Sequence, residues 1–154
     1  MCMVSCPFGA ISDKSQIFQL TRALQEEGSE IIAEIAPAFV GQFGENINPR
    51  NIKAALIELG FKGVHEVALG ADIGAVAEAH HYVEKVVTGE LPFLLTSCCP
   101  SWAMLAKKFF PDLIDQISQE LTPMVATARS IKKEHPNAKV VFIGPCAAKK
   151  TGGD

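Results

Sequence analysis

A chain of 154 residues with 48% apolar and 20% charged residues is long enough to bury one proper core. Its net charge of -3 gives no attraction for nucleic acid or an anionic membrane surface, and no apolar run is long enough to span a bilayer. The start, Met1-Cys2-Met3-Val4-Ser5-Cys6, lacks both the basic region and the long apolar stretch of a secretory signal, so a cytoplasmic, reducing location is expected.

The predicted elements alternate. Ser15 can cap a helix through Glu27 in which Ile17, Leu20 and Leu24 share a face and Gly28 is the stop. Residues 30–36 read as a strand running into Pro37. Pro49 opens a helix with an Ile52, Ala55, Leu56, Leu59 stripe that ends at Gly60. A short strand is expected at Glu66-Val67-Ala68-Leu69, then a helix from Asp72 to Val87. Pro92-Phe93-Leu94-Leu95-Thr96 reads as a fully apolar strand. Helices follow over 101–110, 111–118 and 123–133, and Lys139-Val140-Val141-Phe142-Ile143 is a final buried strand. Apolar strands joined by helical crossovers predict an α/β fold, a parallel sheet of about four strands flanked by helices.

Three turns directly follow strands: Ala36-Pro37-Ala38, Ser97-Cys98-Cys99-Pro100 and Gly144-Pro145-Cys146. In an open parallel sheet, ligands bind outside the carboxyl ends of the strands, so these turns should share one edge. Five cysteines in a reducing compartment point to metal or redox chemistry before disulfides, although a lone cysteine is more often just a small buried apolar residue. Adjacent cysteines diverge, so one of Cys98 and Cys99 can ligate while the other stays a thiol. Pro100 can begin a helix, which sets the positive end of a helix dipole beside the pair. Lys149 and Lys150 bring positive charge near Cys146, although solvated lysines are the plainer reading, above all for Lys150. At the other end, Cys2-Met3-Val4-Ser5-Cys6-Pro7 fits the C-x-x-x-C-P tail of the bacterial ferredoxin run that holds a 4Fe–4S cluster.

Taken together, Thr96-Ser97-Cys98-Cys99-Pro100-Ser101-Trp102 and Gly144-Pro145-Cys146-Ala147-Ala148-Lys149-Lys150 resemble the first two active-site signatures of the iron-only (FeFe) hydrogenases. Ala36-Pro37-Ala38 resembles the stretch that lines their diiron pocket. The resemblance implies a 4Fe–4S cluster linked to a diiron subcluster, the H-cluster, at which protons and electrons interconvert with dihydrogen. It assigns Cys99 and Cys146 to the 4Fe–4S part, with Cys98 passing protons and Lys149 bonding a cyanide. Ala36, Pro37, Ala38 and Pro145 would line the cofactor. Cys2 and Cys6 would ligate an additional ferredoxin-type cluster. Glu78 matches the family's first proton-path carboxylate and Ser118 a relay serine; without the resemblance they read as a helix-surface glutamate and a helix-end serine. A ferredoxin or similar electron carrier is the implied partner, with no nucleic acid and no membrane.

The chain departs from the pattern. The family's third signature, with two more cysteines, has no counterpart here. The expectation is a fragment: residues 1–13 as the tail of a ferredoxin-like domain, and residues 14–154 as the first of two lobes, lacking its carboxy-terminal partner and inactive alone. Gly144 stands where well-studied members carry methionine, which should loosen packing over the diiron site. His81 and Lys85 replace a glutamate and an arginine. Other readings are a hydrogen-sensing module, a non-catalytic iron–sulfur protein of the same fold, and structural zinc. The absence of paired C-x-x-C knuckles counts against zinc.

Overall fold

The computed structural model describes residues 5–10 and 15–151. Cys2, one of the expected cluster ligands, lies outside them. The sheet has three parallel strands in the order β2-β1-β3: β1 (Ile31–Ile35), β2 (Gly63–Glu66) and β3 (Lys139–Ile143). The helices are α1 (Ile17–Gln25), α2 (Pro49–Glu58), α3 (Val67–Tyr82), α4 (Pro100–Phe109) and α5 (Pro123–Glu134). This is the expected α/β architecture.

β1 is central and all five of its residues are buried. Its alternation splits the core. Ile31 and Ala33 meet Phe61 on one face, with Leu20, Ala23 and Leu24 of α1 and Leu56 of α2 packed around them. Ile32 faces the other way, onto Ile131, Ala138 and Val140, under α5. Helices therefore cover both faces, as a parallel sheet requires. At the opposite rim, Lys139 Nζ donates to Glu26 Oε2 at 2.8 Å and His135 Nδ1 pairs with Glu30 Oε1 at 2.7 Å. These ties hold the entrance to β3 against the entrance to β1.

Local chemistry accounts for the helix starts. Asn48 accepts from the backbone N–H groups of Arg50 and Asn51, and the Asn51 side chain accepts from the Asn48 N–H, a reciprocal cap. Thr122 caps α5, and prolines stand at the first turn of α2, α4 and α5. The α1 start departs slightly from expectation: Ser15 Oγ accepts from Ile17 N–H at 3.2 Å, but the capping position is Gln16.

Two expected strands differ. Residues 66–69 are mostly helix: β2 ends at Glu66 and α3 starts at Val67. Glu66 followed by three apolar residues is too short a run to carry a period that separates strand from helix, and here helix packing decides. Residues 92–96 do not join the sheet. Leu95 makes a single parallel bridge to Ile117, its N–H donating to the Gln116 carbonyl and its carbonyl accepting from Ser118 N–H. Pro92 cannot donate to a ladder, and the segment pairs with the exit of the 3-10 turn Pro111–Gln116 instead.

The tightest helix contact is α3 on α5. A side chain at Gly70 would collide with the Thr127 hydroxyl and the Pro123 carbonyl, and these two already share a 2.9 Å hydrogen bond. Gly70→Ala should therefore destabilise the fold by about 1–3 kcal/mol through overpacking, outweighing the gain of alanine in a helix. Urea unfolding of the variant checks this; unchanged or increased stability would contradict it.

Candidate functional site

The strand order places the candidate site. The chain leaves β1 toward β2 on one side and returns as β3 on the other, so the order reverses between β1 and β3 at their carboxyl ends. Such a switch point opens a crevice, because the connections leave in opposite directions. Ile35 and Ile143 are in register, so the next residues, Ala36 and Gly144, face one another there. Ala36 N–H donates to the Ile143 carbonyl at 2.9 Å, extending the ladder by one bond. Ala36-Pro37-Ala38 then tightens into the 3-10 turn Pro37–Phe39, with Phe39 N–H donating to the Ala36 carbonyl. Pro37 and Ala38 are exposed, and Ala36 is half-buried.

The third turn joins from α4. Cys99 is the residue before its first turn, and its carbonyl accepts from Ala103 N–H at 3.0 Å. Trp102 Nε1 donates to the Thr96 carbonyl at 3.1 Å, bracing the Ser97-Cys98 turn from inside α4. After Cys146 the chain forms the 3-10 turn Ala147–Thr151, which packs on α4. Lys149 Nζ donates to the Cys98 carbonyl. The turns that carry Cys98-Cys99 and Cys146 are thus adjacent, as are those that carry Ala36 and Gly144. Cys98 and Cys146 are exposed free thiols and Cys99 is half-buried.

Pro145 is exposed between Gly144 and Cys146. Ser118 is only 1% exposed; its N–H donates to the Leu95 carbonyl, and its Oγ accepts from Glu120 N–H at 3.2 Å. It therefore anchors the segment leading to Cys98. Glu78 is half-buried on α3 and makes no hydrogen bond to another described residue; His81 follows three residues later on the same helix. No hydrogen bond joins Glu78 to Ser118. Lys85 pairs with Glu90 at 2.6 Å on the surface. Cys6 is half-buried.

The donor chemistry can be tested against the expected cluster. A 4Fe–4S cluster takes four ligands, normally thiolates. Among the described residues no group of three or more His, Cys, Asp or Glu side chains is arranged to hold a metal. Cys99 and Cys146 fit as two members of such a set, with the Lys149 ammonium positioned to balance anionic charge. They do not complete it.

One titratable group escaped the sequence reading. Glu34, on β1, is 2% exposed; its Oε2 has no hydrogen-bond partner among the described residues. Its in-register neighbours are His65 on β2 and Phe142 on β3. Burial alone pushes its carboxyl up to about 7, because desolvation penalises the charged form. Within an otherwise apolar strand, only its position two residues before Ala36 hinted at this.

The sign of the resulting linkage is definite. The folded state holds the proton more tightly than the unfolded chain, whose carboxyl has its ordinary value of 4.5. Stability from this group should fall as pH rises from about 4.5 to about 7 and then level off, a loss of up to about 3 kcal/mol. Glu34→Gln should flatten that part of the stability–pH curve. Thermal unfolding between pH 4 and 8 measures it; parallel curves for the two proteins would rule the linkage out.

Known proteins place this architecture in context. A family model described as iron only hydrogenase large subunit, C-terminal domain, matches residues 29–153. The chain is 29% identical to iron hydrogenase 1 of Clostridium pasteurianum, over 96% of this chain and 28% of that protein. It is also 29% identical to the NADP-reducing hydrogenase subunit HndD of Solidesulfovibrio fructosivorans, over 97% of this chain and 29% of that one. The chain thus spans less than a third of the length of either relative. Its fold matches that of a single-site variant of the [FeFe]-hydrogenase HydA1 from Chlamydomonas reinhardtii, with a TM-score of 0.74 at 24% identity, over 90% of this chain and 40% of that one.

Proposed function

Because the chain belongs to the iron-only hydrogenase large-subunit family, with a match that runs from residue 29 to residue 153, we propose that it contributes the first lobe of an H-cluster site, where two protons and two electrons interconvert with dihydrogen. The observation that supports this most strongly is the bond from Lys149 to the Cys98 carbonyl, whose partners are 51 positions apart in the chain. It draws together the two signature turns at the switch point beside Ala36.

In this reading Cys99 and Cys146 supply two thiolates to a 4Fe–4S cluster linked to a diiron subcluster, and other ligands complete the set. When bound, the cofactor would supply the metal centre for the reaction and pass on electrons received from the carrier. The chain's own residues do the rest. Cys98 Sγ, exposed and one residue from Cys99, holds and releases the proton nearest the site. Glu78 and Ser118 carry protons toward it; Ser118 Oγ already accepts from Glu120 N–H, which leaves its O–H to donate. His81, on the Glu78 helix, can serve the same route because an imidazole ring can both accept and donate a proton. Lys149 places a fixed cation where an anionic ligand would bind. Ala36, Pro37, Ala38 and Pro145 line the crevice with small or rigid residues that let a cofactor approach the backbone.

Residues 14–154 make up this lobe, and Cys2 to Pro7 form the end of a ferredoxin-like segment whose cluster, with a ferredoxin-type carrier, delivers electrons. No described helix is long and apolar enough to cross a membrane.

The test uses the full polypeptide encoded by the reading frame, produced with the hydrogenase maturation machinery. Infrared bands in the carbonyl and cyanide region are expected, and they should vanish in Cys99→Ala. A well-folded protein that holds iron and sulfide yet shows no such bands would falsify the reading in favour of a non-catalytic iron–sulfur role.

A further inference from the structure

Gly144 lies between β3 and Pro145-Cys146. It is not among the glycines with positive φ, so backbone conformation does not call for glycine here. Space does. A Cβ at 144 would lie 2.5 Å from Phe142 Cζ, 2.7 Å from Phe142 Cε1 and 3.0 Å from the Ala36 Cβ. Residues two apart on a strand share a face, and the Phe142 ring leans forward along β3 into the volume that a side chain at 144 would fill. The loosened packing expected from glycine at this position is therefore not what the structure contains: an aromatic ring from two residues upstream occupies the space. On the far side of that volume is Ala36, whose N–H is already bonded to Ile143.

We propose that Phe142 is a positioning residue whose ring, admitted by Gly144, sets the spacing between the Ala36-Pro37 turn and the Pro145-Cys146 turn. Its importance for the cofactor rests on the function proposed above; the packing pair itself does not. The ring packed against the 144 backbone, on the side where the Ala36 methyl lies, holds the two turns in one relative placement, because an aromatic side chain has few rotamers and cannot compress. The two positions behave as one volume. A larger residue at 144 must expel the ring, and removing the ring makes room for a larger residue at 144. This exchange distinguishes the pair from two independent core positions, since volume-conserving changes are tolerated where single ones are not.

The test is a double-mutant cycle in the full, cofactor-loaded polypeptide, with Gly144→Met, Phe142→Ala and the two combined. The carbonyl and cyanide infrared bands should shift in each single variant and return toward the parent positions in the double. Bands unmoved by Gly144→Met, or shifts that simply add in the double, overturn the proposal. A second readout does not need the cofactor: 4-fluorophenylalanine at position 142 reports the ring by fluorine NMR, and the milder Gly144→Ala should move its resonance. An unmoved resonance overturns the packing pair. Should the parent show no carbonyl or cyanide bands at all, the proposed function fails, while the fluorine signal still decides whether the ring and Gly144 share one space.

Discussion

The site exists because β1 lies in the middle of the sheet. It pairs in parallel on both sides, with Ile35 opposite Glu66 in β2 and opposite Ile143 in β3. Parallel pairing points the strands the same way, so each chain segment leaves at the same edge. The reversal of strand order at β1 then sends the connections from these exits in opposite directions, beginning at Ala36 and Gly144. Had β2 stood between β1 and β3, a whole strand would have separated the Ala36 turn from the Cys146 turn. The buried apolar run of β1 is thus what brings together residues far apart in the chain.

That same strand carries the least comfortable group in the fold. Four of its five residues are alanine or isoleucine; the fifth is Glu34, buried without a hydrogen bond to its Oε2. A charged carboxylate in that position is strongly disfavoured, and the raised pKa is how the fold accommodates it: near pH 7 the side chain is divided between neutral and ionised forms rather than held as a charge. No nearby charge contributes to the shift. The in-register His65 of β2 does not enter it either. Phe142 of β3 is apolar, the inward residues of α5 (Met124, Thr127 and Ile131) are uncharged, and the arginine and lysines of α5 (Arg129, Lys132 and Lys133) are exposed.

Much of this was legible in the sequence, for physical reasons that also explain what was not. β1 and β3 could be read because runs such as Ile31-Ile32-Ala33 and Val140-Val141-Phe142-Ile143 are short, apolar and bounded by turn formers. The helices α2 and α5 could be read because proline and a capping side chain mark their starts. Residues 66–69 could not, since a glutamate and three apolar residues fit either period. Residues 92–96 could not be read either, because an apolar run does not say what a segment pairs with, and here three of the five residues are exposed. The approach of the Ala36 and Gly144 turns followed from topology; that of the Cys98 turn did not, because the segment before it stands outside the sheet. The bracing of the Cys98 turn by Trp102, the reach of Lys149 to the Cys98 carbonyl and the filling of Gly144 by Phe142 did not, because each depends on where a side chain ends rather than on where it starts.

The two halves of the crevice are held by bonds of different character. On the β1–β3 side, Ala36 is fixed by a backbone bond that continues the sheet ladder, and the Phe142 ring fills the space behind it. Moving that turn would break a ladder bond and open a void. On the other side, the Cys98-Cys99 turn is held by the Trp102 bond, by α4 packing and by one long, flexible lysine. A lysine side chain has many rotamers and gives up its hydrogen bond at modest cost when another acceptor is offered. If an anionic group enters the crevice, Lys149 can exchange the neutral Cys98 carbonyl for it without disturbing the sheet. The crevice thus combines a rigid wall, set by strand pairing, with a cation that is free to change partners, and only the latter needs to respond to what binds.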